Sequence, residues 1–183
     1  MKKGVLVFAF LFLVVPCVGG TIYVDSDAPG ANNGTSWADA YNFLQNALIA
    51  AVSGDTIQVA QGIYIPDAST AYPNGTGDRA ATFTLKNGVT VKGGYAGYGQ
   101  ADPNARNIST YETILSGDLN GDDGPNFTNN AENSYHVVTG SSTNSTAILD
   151  GFTITAGNAN PSNYYGGAIY NDSGNPTINN CCV

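Results

Sequence analysis

The chain has 183 residues, 14 acidic against 6 basic ones, and a formal net charge of −8 at pH 7. So acidic a chain with so few Lys and Arg is a poor partner for nucleic acid or anionic membranes, both of which reward clustered cations. Charged residues are only 11% of the sequence, yet Val, Ile, Phe and Tyr recur in short bursts, a composition of ordered strands rather than disorder.

Lys2 and Lys3 precede the unbroken apolar run Val5–Val15, which Pro16 ends before the small residues Gly19 and Gly20. This order is that of a secretory signal, with residues 1–20 expected to be removed. The run falls well short of the ~20 residues of a membrane-spanning helix, so no transmembrane helix is expected. The mature chain would then be exported, extracellular or on the outer cell surface. It would keep four basic residues, Arg79, Lys86, Lys92 and Arg106, and all the acidic ones. Cys17 leaves with the signal, and the vicinal pair Cys181 and Cys182 offers neither a disulfide framework nor, with the lone His136, a four-ligand zinc site.

Residues 21–54 read as an N-terminal strand followed by a capping helix. Thr21–Asp25 is the strand. From Trp37 to Val52 the apolar residues Trp37, Ala40, Tyr41, Leu44, Ala47, Leu48 and Ala51 follow helical spacing, with Ser36 as N-cap, Asp39 in the first turn and Gly54 as the stop.

Residues 55–183 carry short β-branched strands closed by Gly or Asn: Thr56–Ala60, Gly62–Ile65, Ala81–Leu85, Val89–Tyr95, Thr113–Gly117, Tyr135–Thr139, Ala147–Thr155 and Pro176–Asn179. Strand starts at Val89, Thr113 and His136 are 24 and 23 positions apart, and Phe152 to Thr177 is 25. Intervals of this size suit a solenoid coil of three short strands and three turns. The expected fold is all-β, a right-handed parallel β-helix with an N-terminal amphipathic capping helix, whose further C-terminal coils would lie beyond Val183. Such a chain would be the N-terminal portion of a longer protein, able to self-stack through its open C-terminal edge. The Asn87–Gly88 pair is a hairpin signal and keeps an antiparallel sandwich as the alternative. Polar stretches near 67–78 and 118–133 read as loop insertions, where function concentrates on a rigid scaffold.

The sharpest chemical motif is Asp118, Asn120 and Asp122, oxygen side chains at alternate positions before Gly124. Such spacing turns three oxygens toward one point and makes these residues candidate Ca2+ ligands, although Asn129 stands where a bidentate Glu would close a calcium loop. A polyuronate lyase needs a Lys or Arg base beside acidic residues, and a glycosidase needs two facing carboxylates. Asp118, Asp122, Asp123 and Asp150 qualify by type alone, and no residue is assigned a catalytic role. His136 reads as structural, and the tyrosines as packing residues or sugar-stacking platforms.

Several segments together resemble secreted right-handed β-helix proteins of the pectin-lyase-like superfamily, of the bacterial surface type. They are Ile22–Asp25, Thr35–Trp37, Gly54–Asp55, Val89–Gly94, Leu115–Asp118, Ser134–Val138 and Leu149–Ile154. Gly166–Ile169 with Ile178–Asn180 is similar to the short repeats of polymorphic outer-membrane proteins, with Ile in place of Phe. The resemblance implies a non-catalytic surface scaffold or adhesin-like protein with polysaccharide or cell-surface glycan as partner. The alternative it implies is a carbohydrate-active enzyme, a polysaccharide lyase or glycoside hydrolase, with its catalytic residues in later coils.

Overall fold

The computed structural model describes residues 19–160 and 165–183; the expected signal segment up to Val18, with Cys17, and Tyr164 lie outside them. The architecture is all-β and its ladders are parallel. Among the described residues, eleven strands and one α-helix occur in the order β1 Thr21–Val24, α1 Leu44–Ala50, β2 Thr56–Ala60, β3 Gly62–Tyr64, β4 Phe83–Thr84, β5 Thr90–Tyr95 and β6 Thr113–Ser116. They continue as β7 Val138–Thr139, β8 Ile148–Asp150, β9 Thr153–Thr155, β10 Ile169–Tyr170 and β11 Thr177–Asn179.

These strands form three sheets. The first has the order β1-β2-β5-β8-β11, the second β3-β6-β9, and the third β4-β7-β10. From β2 onward the chain visits first, second and third sheet in turn, then repeats. Register makes the consequence physical: Ile22, Ile57, Val91, Leu149 and Ile178 stand side by side across the first sheet. Tyr64, Leu115 and Ile154 do the same in the second, and Phe83, Val138 and Ile169 in the third. Members of all three rows belong to one apolar core. Because side chains alternate along a strand, each inward row is flanked by an outward polar one, such as Gln58, Lys92, Asp150 and Asn179 on the first sheet.

The register also corrects the spacing argument. Val91 stacks on Ile57 and Leu149, not on the strand near Thr113, which belongs to the second sheet. The 24- and 23-residue intervals therefore measure steps from one sheet to the next. The long connections at 96–112 and 117–137 set them, not a uniform coil.

Asn87 and Gly88 do not make a hairpin. Gly88 has φ +75°, and a Cβ there would lie 2.1 Å from Ser53 Oγ. Its N–H donates to Thr146 Oγ1, and Asn87 Oδ1 accepts from the Asn144 N–H. The pair is a corner that carries the chain from β4 in the third sheet to β5 in the first.

The helix is shorter than its apolar spacing predicts. It begins at Leu44, with Phe43 at the N-cap position making no side-chain cap. Ser36 and Asp39 bond each other instead, and Asp39 Oδ1 takes the Ala31 N–H. Tyr41 runs beside Val24 as a parallel bridge, so the 34–41 segment covers the outer edge of β1. That protects an edge strand from adventitious pairing. Trp37 leaves the helical stripe for a small outer cluster with Tyr23, Ala60 and Tyr95, its ring 4.9 Å from Tyr23 and its Nε1–H donating to Asn104 Oδ1. Leu44, Ala47 and Leu48 form the buried face of α1. Lys86 Nζ donates to the carbonyls of Leu48 and Ala51 at 3.0 and 2.7 Å, closing a helix end that has no basic residue of its own.

Candidate functional site

The expected loop at 118–133 is organised by one carboxylate. Asp118 Oδ1 accepts the N–H groups of Gly121 and Asp122, and Oδ2 that of Asp123. This is what an Asp at the start of a turn does: it satisfies backbone donors that no strand can reach. Asn129 Nδ2 donates to the Asp122 carbonyl and Asn133 Nδ2 to Asp123 Oδ2, folding the far end of the loop back on its start. Two single-turn 3-10 helices, Pro125–Phe127 and Asn130–Glu132, make the reversal, with left-handed backbone at Asn126, Phe127 and Asn129.

The reversal brings Glu132 to Asp118 and Asp122. One carboxylate oxygen from each lies within 4.8 Å of the others. Two of the three sequence candidates, Asp118 and Asp122, are thus brought together. Asn120 is exposed and shares their turn. Glu132 was not visible as a partner, because it lies outside the alternating run and reaches it only through the 3-10 reversal. Its Oε1 is sequestered from solvent with no hydrogen-bond donor, as is Oδ1 of the adjacent, buried Asn133. Three converging carboxylates with an unpaired oxygen have the chemistry of a hard divalent cation site, since oxygen donors of high charge are what Ca2+ takes.

The other candidates serve the framework. Asp150 is paired with Arg106 at 3.0 Å and takes Asn180 Nδ2 on its other oxygen. Arg106 also donates to the Gly93 carbonyl. Arg79 lies over the Tyr135 ring at 4.4 Å and donates to the carbonyls of Asn133 and Asn158. With Lys86 on the helix end, three of the four basic side chains between residues 19 and 183 are committed to internal carbonyls or a carboxylate. Asp67 in the other loop insertion takes the N–H groups of Thr76, Gly77 and Asp78 and the hydroxyl of Thr76. Cys181 and Cys182 are free thiols, and burial pushes the Cys181 thiol up.

His136 stacks on Tyr170 with ring centroids 4.6 Å apart and 18° between planes, and its Nδ1 lies 3.0 Å from the Gly166 carbonyl oxygen. Asp25 is buried. Its carboxyl is raised by that burial, partly offset by the N–H groups of Tyr98 and Asp27 that it accepts. No helix among the described residues is long and apolar enough to cross a membrane.

No family model, no curated protein and no solved structure matches this chain.

Proposed function

We propose that the chain winds as a right-handed parallel β-helix and serves as an exported, non-catalytic surface scaffold of the adhesin-like kind. The observation that carries this is the cyclic order of strands, first to second to third sheet, with each strand parallel to and in register with the one a full circuit away. A chain that repeats one circuit stacks like residues on like residues and buries a continuous core at each step. The right hand follows from the strong preference of parallel strand–crossover–strand units. The acidic surface and the expected secretory signal favour a soluble, exported setting over nucleic acid or an anionic membrane.

A carbohydrate-active enzyme is the alternative. A polyuronate lyase needs a Lys or Arg side chain free to act, in its deprotonated form, as the base that takes the proton next to the substrate carboxylate. Arg79, Lys86 and Arg106 are engaged elsewhere, which weighs against them in that role. The test is incubation of the exported protein with polyuronate, with and without Ca2+. The scaffold reading predicts flat ultraviolet absorbance. Rising absorbance from unsaturated chain ends would overturn it.

A second reading concerns the loop alone: Asp118, Asp122 and Glu132, with Asn120 beside them, hold a Ca2+ that stiffens the 118–133 insertion. The convergence of the three carboxylates favours it. Like charges so close are mutually destabilising, and a divalent cation would relieve that repulsion. Chelation should lower the melting temperature of the wild-type protein and have less effect on Glu132→Gln. An unchanged melting temperature on chelation would remove this reading.

A further inference from the structure

Four Asn–Gly pairs lie among the described residues: Asn33–Gly34, Asn74–Gly75, Asn87–Gly88 and Asn120–Gly121. An asparagine followed by glycine can react with itself, because no side chain shields the glycine nitrogen from the asparagine amide carbon. All four asparagines are exposed. What separates them is how each pair is held.

Two are pinned. Asn33 Oδ1 accepts the N–H and the hydroxyl of Thr35, and Asn87 Oδ1 accepts the Asn144 N–H. Either side chain must give up its hydrogen bonds before its amide carbon can turn to the next nitrogen. Their glycines are crowded as well: a Cβ at Gly34 would lie 2.7 Å from the Tyr41 ring, and one at Gly88 2.1 Å from Ser53 Oγ. Asn74 is not pinned in this way, but a Cβ at Gly75 would lie 2.8 Å from Asp67 Oδ2. The Gly75 N–H donates to the Tyr72 carbonyl, an amide oxygen too weakly basic to remove the proton.

Asn120 differs at each point. Its side chain takes no part in the hydrogen bonds that fold the loop. Gly121 is exposed, and a Cβ there would meet nothing within 4 Å, so the amide has room to swing over the nitrogen. The Gly121 N–H donates to Asp118 Oδ1 at 2.7 Å. A carboxylate is therefore already in place on the proton that must leave.

We propose that Asn120 is a self-modifying site, which loses its amide nitrogen through attack by Gly121 N with Asp118 as the base. Asp118 takes the Gly121 proton as the nitrogen bonds to Asn120 Cγ. The Cγ–Nδ2 bond then breaks, and the leaving nitrogen takes that proton and departs as ammonia. One water opens the cyclic imide at either carbonyl, giving aspartate or isoaspartate. The net change is amide plus water to carboxylate plus ammonium. A new negative charge then stands in the turn that holds Asp118 and Asp122, added slowly and in one direction. This chemistry needs neither the scaffold role nor a bound cation and goes beyond both.

The test is peptide mapping by mass spectrometry of the exported protein, kept in neutral buffer with chelator and sampled over days. Conversion at Asn120 should outpace that at Asn74 at least about tenfold, a modest share of what a positioned base supplies. Asn33 and Asn87 should lag further, behind the hydrogen bonds that their side chains must first break. These four sites are compared within one wild-type molecule, so the result does not depend on a variant folding. Asp118→Asn, which keeps the shape of the side chain and removes the base, should slow Asn120 at least about tenfold, with the circular dichroism of the wild type. Asn120 converting no faster than Asn87, or faster in Asp118→Asn than in the wild type, would overturn the assignment. So would aspartate without isoaspartate, the product of direct hydrolysis of the amide.

Discussion

Truncating Leu149 to Ala probes the shared core most sharply. Leu149 is 1% exposed and sits in the first sheet between Val91 on one side and Ile178 on the other. Ile178 is only partly buried, at the outermost strand of the same row. Removing a buried Leu loses its transfer free energy and leaves a cavity that neighbours in a stacked row cannot easily fill, costing about 3 kcal/mol within the usual range of ~2–5. At Ile178 part of the side chain is already in water, so truncation should cost about 1 kcal/mol. For a domain of this size these figures correspond to a fall in melting temperature of about 6–12 °C and about 2–4 °C respectively. Thermal unfolding followed by circular dichroism at matched protein concentrations separates the two. Equal shifts for Leu149→Ala and Ile178→Ala, or a shift under about 2 °C for Leu149→Ala, would refute the idea of one continuous interior whose burial deepens away from its outermost strand.

Lys86→Met should destabilise by about 1 kcal/mol, because the carbonyls of Leu48 and Ala51 lose a charged donor; urea unfolding would check it, and no change would mean water replaces the ammonium without cost. Asp25 and Asp39 should act in opposite directions on either side of the ordinary carboxylate value of 3.8. Burial raises Asp25, so its contribution is fully present below 3.8 and is lost as pH rises through its folded value. The Ala31 N–H and Ser36 hydroxyl lower Asp39, so its contribution is present above 3.8 and is lost as pH falls through its folded value. Melting temperature against pH for Asp25→Asn and Asp39→Asn, each compared with wild type, reads the two windows; a difference confined to the wrong side of 3.8 contradicts the assigned cause. Trp37, the only tryptophan, is 7% exposed beside Tyr23 and Tyr95, so its emission should be blue-shifted when folded and move to the red on unfolding; emission already characteristic of water would contradict the outer cluster.

Strands were legible where β-branched residues alternate, as at Thr56–Ala60 and Thr90–Tyr95, because a half-buried strand imposes that alternation on any sequence. Their partners were not, because parallel pairing is long-range and carries no turn signal. Nothing in the residues near Val91 names Leu149. The Asn87–Gly88 pair meets the requirement for a tight turn equally well at a corner between sheets, so its hairpin meaning depended on which strands followed. Trp37 to Tyr41 matched a helical stripe because the same residues are apolar for another reason, the cluster outside the first sheet and the edge of β1. In the acidic loop, Asp118 and Asp122 were legible from spacing, whereas Glu132 depends on three left-handed residues and a chain reversal that spacing does not encode.

The parallel pairing of β5 is the most direct point of attack. Nuclear Overhauser contacts from the backbone of Thr90, Val91 and Lys92 would reveal its neighbours. Parallel stacking predicts contacts to Thr56, Ile57 and Gln58 on one side and to Ile148, Leu149 and Asp150 on the other. Contacts instead to Phe83 and Thr84, in the antiparallel pattern of a hairpin closed by Asn87 and Gly88, would contradict the fold and the scaffold reading built on it.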